Sequence, residues 1–201
     1  MSVTPATVLD YWIGDTARSA DALEAKNKLW FQKSFETDQE IADRFLPTLT
    51  ALADGMAHDW AAQGPRERLA AIIVLDQFSR NIFRDHRFAF KHDPLALALS
   101  KVGIVAGEDA GLAEAERVFF YLPFEHSEDM ADQDQSVALF EKLAGDAREA
   151  FRPFCEGTLD YAYQHQDVIE RFGRFPHRNK ALRRTSTREE QAYLSKPGAG
   201  F

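Results

Sequence analysis

Three segments of this chain put polar residues where chemistry could be done. The first is Asp76-Gln77-Phe78-Ser79-Arg80-Asn81, with Arg84 close behind. Asp76 and Arg80 stand four apart and meet on one helix face. That face continues from Leu69, Ile72 and Ile73, so both charges fall where core residues are expected. A charge there must be paired or must face a pocket. The pair reads either as an internal salt bridge that fixes helix packing or as a pocket floor. The second segment is Leu122-Pro-Phe-Glu-His126-Ser-Glu128-Asp129, and residues 125–134 hold five acidic residues and no Lys or Arg. Ser127 is placed to cap the following helix, with Glu128 and Asp129 complementing its positive end. Capping does not call for His126. A histidine among carboxylates suits general acid–base work or metal ligation. No HExxH or comparable spacing accompanies it, so no metal is assigned.

The third segment runs from Arg171 through Gly173, Arg174, Phe175, Pro176, His177, Arg178 and Asn179 to Arg188. It holds seven Lys or Arg and no Asp or Glu, which leaves 17 basic and 32 acidic residues elsewhere. Basic residues beside Phe172 and Phe175 can grip phosphates and stack on bases. A chain of net charge −8 repels a long polyanion, so no nucleic acid is expected. Two readings remain open and are compatible. The basic segment can pair with residues 125–134 as a structural clasp. It can also form a compact anion site, since guanidinium grips carboxylate or phosphate in bidentate fashion.

The surrounding residues read as helices that position these segments. Thr4-Pro5 opens a short helix carrying Val8, Leu9, Trp12 and Ile13. Thr37-Asp-Gln-Glu40 reads as a capping box before a long amphipathic stripe, Ile41, Phe45, Leu49, Leu52, Met56 and Trp60, with a kink or break at Pro47. Gly64-Pro65 and Asp93-Pro94 open further helices. Residues 112–122 predict a helix closed by Pro123, residues 130–145 another, and residues 147–172 a long one disturbed at Pro153. Thr187-Arg-Glu-Glu190 is a second capping box. Gly103, Gly107 and Gly111 read as turns or close packing, not a nucleotide fingerprint. Tyr161, His165, Val168 and Phe172 form a stripe in which His165 reads as a hydrogen-bonded core histidine. Cys155, beside Phe151 and Phe154, reads as a small buried apolar residue. No strand pattern appears. The expected fold is an all-α antiparallel helical array, a single domain over residues 1–195 with a frayed tail at 196–201.

Composition excludes several classes. One cysteine forbids an internal disulfide framework and a Cys-rich zinc site. The longest apolar runs, Leu69–Leu75 and Val118–Phe124, are seven residues each, against about 20 for a membrane-spanning helix. The first residues show no signal-peptide pattern, so a soluble, cytoplasmic protein is expected. No phosphate loop, dinucleotide fingerprint or nucleophile elbow is present, and no cofactor is assigned.

The blocks Leu75-Asp-Gln-Phe-Ser-Arg-Asn81, Phe90-Lys-His-Asp93, Leu122-Pro-Phe-Glu-His-Ser-Glu-Asp129, Arg171-Phe-Gly-Arg-Phe-Pro-His-Arg-Asn179 and Thr187-Arg-Glu-Glu190 resemble domain-of-unknown-function family 924 over nearly the whole chain. The resemblance implies an all-helical fold similar to a tetratricopeptide superhelix, and no established reaction. In the family a Gly often follows the Arg matched by Arg84, and a Gly usually stands where this chain has Arg183. The second departure implies a tight turn that this chain must make with arginine or lose.

The leading functional reading is binding of a small anionic molecule, with or without chemistry. Its pocket is lined by Asp76, Arg80, Arg84, His126, Glu128, Arg174, His177 and Arg178. Arg80, Arg174 and Arg178 hold the anion, and His126 or His177 transfers a proton. The alternative is a tetratricopeptide-like module that binds a protein or peptide along its concave face without catalysis. A metal-dependent hydrolase using His126, Glu128 and His177 ranks last.

Overall fold

The computed structural model describes residues 3–200, and all their regular structure is helical. The expected all-α class holds, with no strand among the described residues. Met1, Ser2 and Phe201, at the two ends the sequence reading touched, lie outside the described residues. Helix α1 (Pro5–Trp12) begins where Thr4-Pro5 predicts, and the Thr4 hydroxyl accepts the Thr7 N–H. Helix α2 (Ala20–Phe31), capped by Ser19, has only a weak apolar stripe, which is why periodicity did not announce it. Its Trp30 donates from Nε1 to the Trp12 carbonyl at 3.0 Å.

Helix α3 (Phe35–Ala51) starts earlier than the Thr37 box predicts, because Ser34 Oγ takes the Thr37 N–H at 3.2 Å. The helix also runs through Pro47. That residue lies on the exposed side, where water can serve the carbonyl that lost its helical donor. The irregularity comes later, in a π-type segment (Leu52–Met56) containing Gly55 at φ 126°. The predicted stripe of Ile41, Phe45, Leu49, Leu52 and Trp60 is buried.

Helix α4 (Ala57–Ala61) leads into α5 (Pro65–Ile72), whose residues Leu69 to Ile72 are fully buried. A helical turn apolar on every side, as Leu69 to Ile72 is, must be surrounded. Helix α5 packs on α1, α4, α7 (Asp93–Val105) and α8 (Glu114–Glu125). A second π-type segment (Ile73–Phe78) joins α5 to α6 (Ser79–Ile82). Phe45 and Phe78 ring centroids lie 4.6 Å apart, and Trp12 and Trp30 each meet Phe119 edge-on. A Cβ on Gly103 of α7 would collide with the Phe120 ring, so close packing is the correct reading of that glycine.

Two helix ends differ from expectation, and both shape the polar centre. Helix α8 is not closed by Pro123; it continues through that buried proline to Glu125, because tertiary packing overrides the local preference. Helix α9 (Met130–Asp146) is capped by Asp129, not Ser127: Asp129 Oδ1 accepts the Ala131 N–H at 2.8 Å. Helix α10 (Arg152–Phe172) begins after a short 3₁₀ turn. Pro153 therefore sits harmlessly in its first turn and disturbs nothing.

Helix α11 (Asn179–Leu182) ends at Arg183, which adopts φ 56°. The tight turn is thus retained with arginine. Helix α12 (Arg188–Leu194) carries the predicted Thr187–Glu190 capping box. Beyond it the chain turns so that Gly200 lies against His177; a Cβ there would come within 2.8 Å of the His177 Cβ.

Candidate functional site

The three motif segments meet around Asp76. The π-type turn from Ile73 to Phe78 interrupts the regular i→i−4 ladder at this residue, a device common at functional sites. The Ser79 hydroxyl donates to the Leu75 carbonyl at 2.6 Å, and Arg80 Nη1 donates to the Asp76 carbonyl at 2.8 Å. Asp76 is 1% exposed. Its carboxylate receives Gln77 Nε2 at 2.6 Å, shares a 2.8 Å hydrogen bond with His126 Nδ1 and faces Arg80 Nη1 at 3.2 Å. Burial opposes its ionisation, but Arg80 and His126 beside it hold its pKa well below the usual carboxylate range.

Arg80 is shared between two carboxylates. Beyond Asp76 it makes a bidentate pair with Asp93, the first residue of α7, at 2.9 and 3.0 Å. Asp93 was read from the sequence only as a helix opener within the Phe90-Lys-His-Asp93 block. Arg178, on the 3₁₀ turn Pro176–Arg178, approaches the same Asp93 at 3.6 Å. The Arg178 guanidinium lies over the rings of Phe90 and Phe175, 4.8 and 4.3 Å from their centroids. Its side chain is 7% exposed. Its Nε is buried without a hydrogen-bond partner. Burial and the neighbouring Arg80 push its pKa down to about 10.

A second buried group adjoins the first. Glu125, at the end of α8, places Oε1 3.2 Å from His165 Nδ1, and its Oε2 has no hydrogen-bond partner. Burial, reinforced by Asp76, pushes the Glu125 carboxyl up to about 8. His165 Nδ1 lies 2.8 Å from the Tyr161 carbonyl one turn back. The expectation of a hydrogen-bonded core histidine therefore holds, and the same residue also forms the wall of this centre. Burial lowers the pKa values of both His165 and His126, and burial with Arg178 lowers His177 to about 3. All three shifts favour the neutral imidazole. A neutral His126 that hydrogen-bonds Asp76 through Nδ1 keeps Nε2 basic, the arrangement of an oriented general base.

Other expected site residues are held elsewhere. Arg84 pairs with Asp38 of α3 through two bonds, at 2.5 and 2.6 Å. Arg174 pairs with Glu190 of α12 at 2.6 and 2.9 Å and also donates to the Thr185 carbonyl. Neither shares a partner with the Asp76 centre. Glu128 is taken by Arg184 at 2.7 and 2.9 Å and by the Phe175 N–H at 2.8 Å. The clasp between the acidic and basic segments is therefore one bidentate pair. Arg171 and Arg174 turn instead to Glu189 and Glu190, acids outside residues 125–134 that α12 brings alongside. Cys155 is buried, and burial pushes its thiol up to about 11, in keeping with a packing role.

Residues 8–198 match a family model described as a bacterial protein of unknown function, DUF924. The chain belongs to the DUF924 family. It is also similar to a solved structure of a protein of unknown function, ATU0120 from Agrobacterium tumefaciens, at 36% identity, covering 95% of this chain and 96% of that one with a TM-score of 0.79. No curated protein matches the sequence. No helix among the described residues is long and apolar enough to cross a membrane. The buried centre of this DUF924 chain draws on blocks spread from Asp76 to Arg178, so most of the fold is needed to assemble it.

Proposed function

We propose that this DUF924 protein binds a small anion, a carboxylate or a phosphate, between Arg80 and Arg178, with His126 and His177 beside it. The observation that carries this reading is Arg178. A buried guanidinium without a full counterion is costly, and its depressed pKa expresses that cost. Asp93 meets Arg178 only at 3.6 Å, because Arg80 already holds both its oxygens. The Nε side of the fork stays buried and unpaired. Two oxygens of a carboxylate or phosphate there would form the bidentate pair that Arg178 lacks. Arg174, whose guanidinium Glu190 occupies, is left out of the grip. If a proton is moved in this site, His126, backed by Asp76, is the residue built to take it.

The test is thermal and chemical denaturation with phosphate and a panel of small carboxylates and phosphorylated metabolites, against sodium chloride at matched ionic strength. An anion at 100 times its dissociation constant should add about 2.7 kcal/mol. Arg178→Met keeps an apolar stem between Phe90 and Phe175 and should lose that protection. No protection beyond the salt control by any anion would remove the reading. It would leave the second one, a tetratricopeptide-like module for a protein or peptide. That reading draws on exposed apolar residues such as Phe35, Val102 and Val105, which are 77%, 57% and 89% exposed.

A further inference from the structure

We infer that Glu125, His126 and His165 form a binding site for a divalent transition-metal ion of the zinc class. The inference shares His126 with the anion reading but none of its arginines, and His126 Nε2 cannot hold a metal and accept a proton at once. One ligand atom from each of the three residues lies within 4.8 Å of the others. Two imidazoles and a carboxylate are the donor set that zinc and its neighbours prefer over magnesium or calcium, which favour oxygen alone. A tetrahedral ion bound at about 2.0–2.1 Å brings its donors closer together than that, so the three side chains contract slightly on binding.

Two further observations point to a ligand. Glu125 Oε2 is buried with no partner, and among the described residues no Lys or Arg pairs with this carboxylate. Elsewhere in the same centre the buried Asp76 has Arg80 and His126. His126 is also oriented from behind. His126 Nδ1 meets Asp76 at 2.8 Å, and His165 Nδ1 meets the Tyr161 carbonyl at 2.8 Å. Metal-ligating histidines almost always donate their other ring N–H to a carboxylate or backbone carbonyl, which sets the tautomer and the ring angle. Coordination of His126 through Nε2 leaves its bond to Asp76 in place, and His165 already faces the Glu125 carboxylate through Nδ1 at 3.2 Å. Three protein ligands leave a fourth position for water, the pattern of reactive rather than structural zinc sites.

The last-ranked sequence reading, a metal-dependent hydrolase, gave Glu128 and His177 as companions of His126. Glu128 is committed to Arg184 and to the Phe175 N–H, so it is not available as a ligand. The structure substitutes Glu125 and His165, which come from the end of α8 and the middle of α10.

The experiment is equilibrium dialysis of chelator-stripped full-length protein against zinc in a phosphate-free buffer, with cobalt as the optical probe. One zinc per chain is expected, with intense visible bands from four- or five-coordinate cobalt. Glu125→Gln and His165→Gln should each abolish tight binding. Asp76→Asn, which keeps all three ligands but changes the support behind His126, should weaken binding about 10–100-fold. Circular dichroism reports whether each variant keeps its helices. No zinc bound by the wild type, or unchanged binding in a folded Glu125→Gln or His165→Gln variant, overturns the inference. Should both buried variants unfold, the wild-type cobalt spectrum decides, because the weak bands of six-coordinate hydrated cobalt would overturn it. Phosphate is absent throughout, so failure here says nothing against the anion site.

Discussion

Replacing Asp76 with alanine tests the centre most directly. The substitution removes the carboxylate that receives Gln77 Nε2, hydrogen-bonds His126 Nδ1 and faces Arg80 Nη1 at 3.2 Å. Breaking a buried ion pair from one side typically costs about 3–5 kcal/mol, because it leaves a charge without its partner. Here Arg80 keeps both oxygens of Asp93, which places the loss at the lower end, about 3 kcal/mol. For a chain of this length that is a fall in Tm of about 6–12 °C. The assay is urea denaturation at pH 7, where Asp76 is ionised, followed by fluorescence of the buried tryptophans. Asp76→Asn, which keeps the volume and one acceptor, should lose less. The double variant Asp76→Ala/Asp93→Ala should lose more than the sum of its parts, because Arg80 then has no carboxylate at all. A midpoint for Asp76→Ala within about 0.5 kcal/mol of wild type, the range of ordinary surface substitutions, would refute the buried-pair reasoning. Strict additivity in the double variant would refute the claim that Asp93 compensates.

Further outcomes follow from single contacts. Arg183 is exposed and adopts φ 56°, which costs a residue with a Cβ about 1–2 kcal/mol. Arg183→Gly should therefore raise stability, by up to about 1 kcal/mol once the greater freedom of the unfolded glycine is counted, and a lower urea midpoint would contradict this. Glu114 is held down to about 2, first by its hydrogen bonds from Arg148. A depressed carboxylate contributes stability that is complete above its unfolded pKa and disappears as pH falls through the folded one. The advantage of wild type over Glu114→Gln should shrink as pH drops from about 4.5 towards 2, and an advantage independent of pH would exclude the pair as its source. Because Arg148 is half exposed, the same advantage should also shrink with added salt.

The helical class, the burial of the Ile41-to-Trp60 stripe and the Thr187 cap were legible because they depend on neighbours within one turn. Capping hydrogen bonds and apolar spacing are local, so residue order alone contains them. Local rules competed at Ser34 against Thr37 and at Asp129 against Ser127. Both residues of each pair can accept a backbone N–H, and only the surrounding packing selects between them. Pro123 shows the same limit, since a buried helix carries a proline that an isolated one would not.

The Asp76–Arg80 pair was readable from its spacing, and so was the outlying polarity of the three motif segments. Which charge answers which was not, because Coulomb attraction acts through space and is indifferent to sequence distance. Arg174 and Arg184 lie ten residues apart in one basic run, yet one turns to Glu190 and the other to Glu128. Asp93 becomes the hub of the arginines only because α7 starts beside α6. Glu125 and His165, on separate helices, become neighbours only because α8 and α10 pack together. Sequence by itself determined which helices form and which segments are too polar for their faces. Tertiary packing decided the pairing inside the centre, because burial removes the water that would otherwise let each charge stand alone.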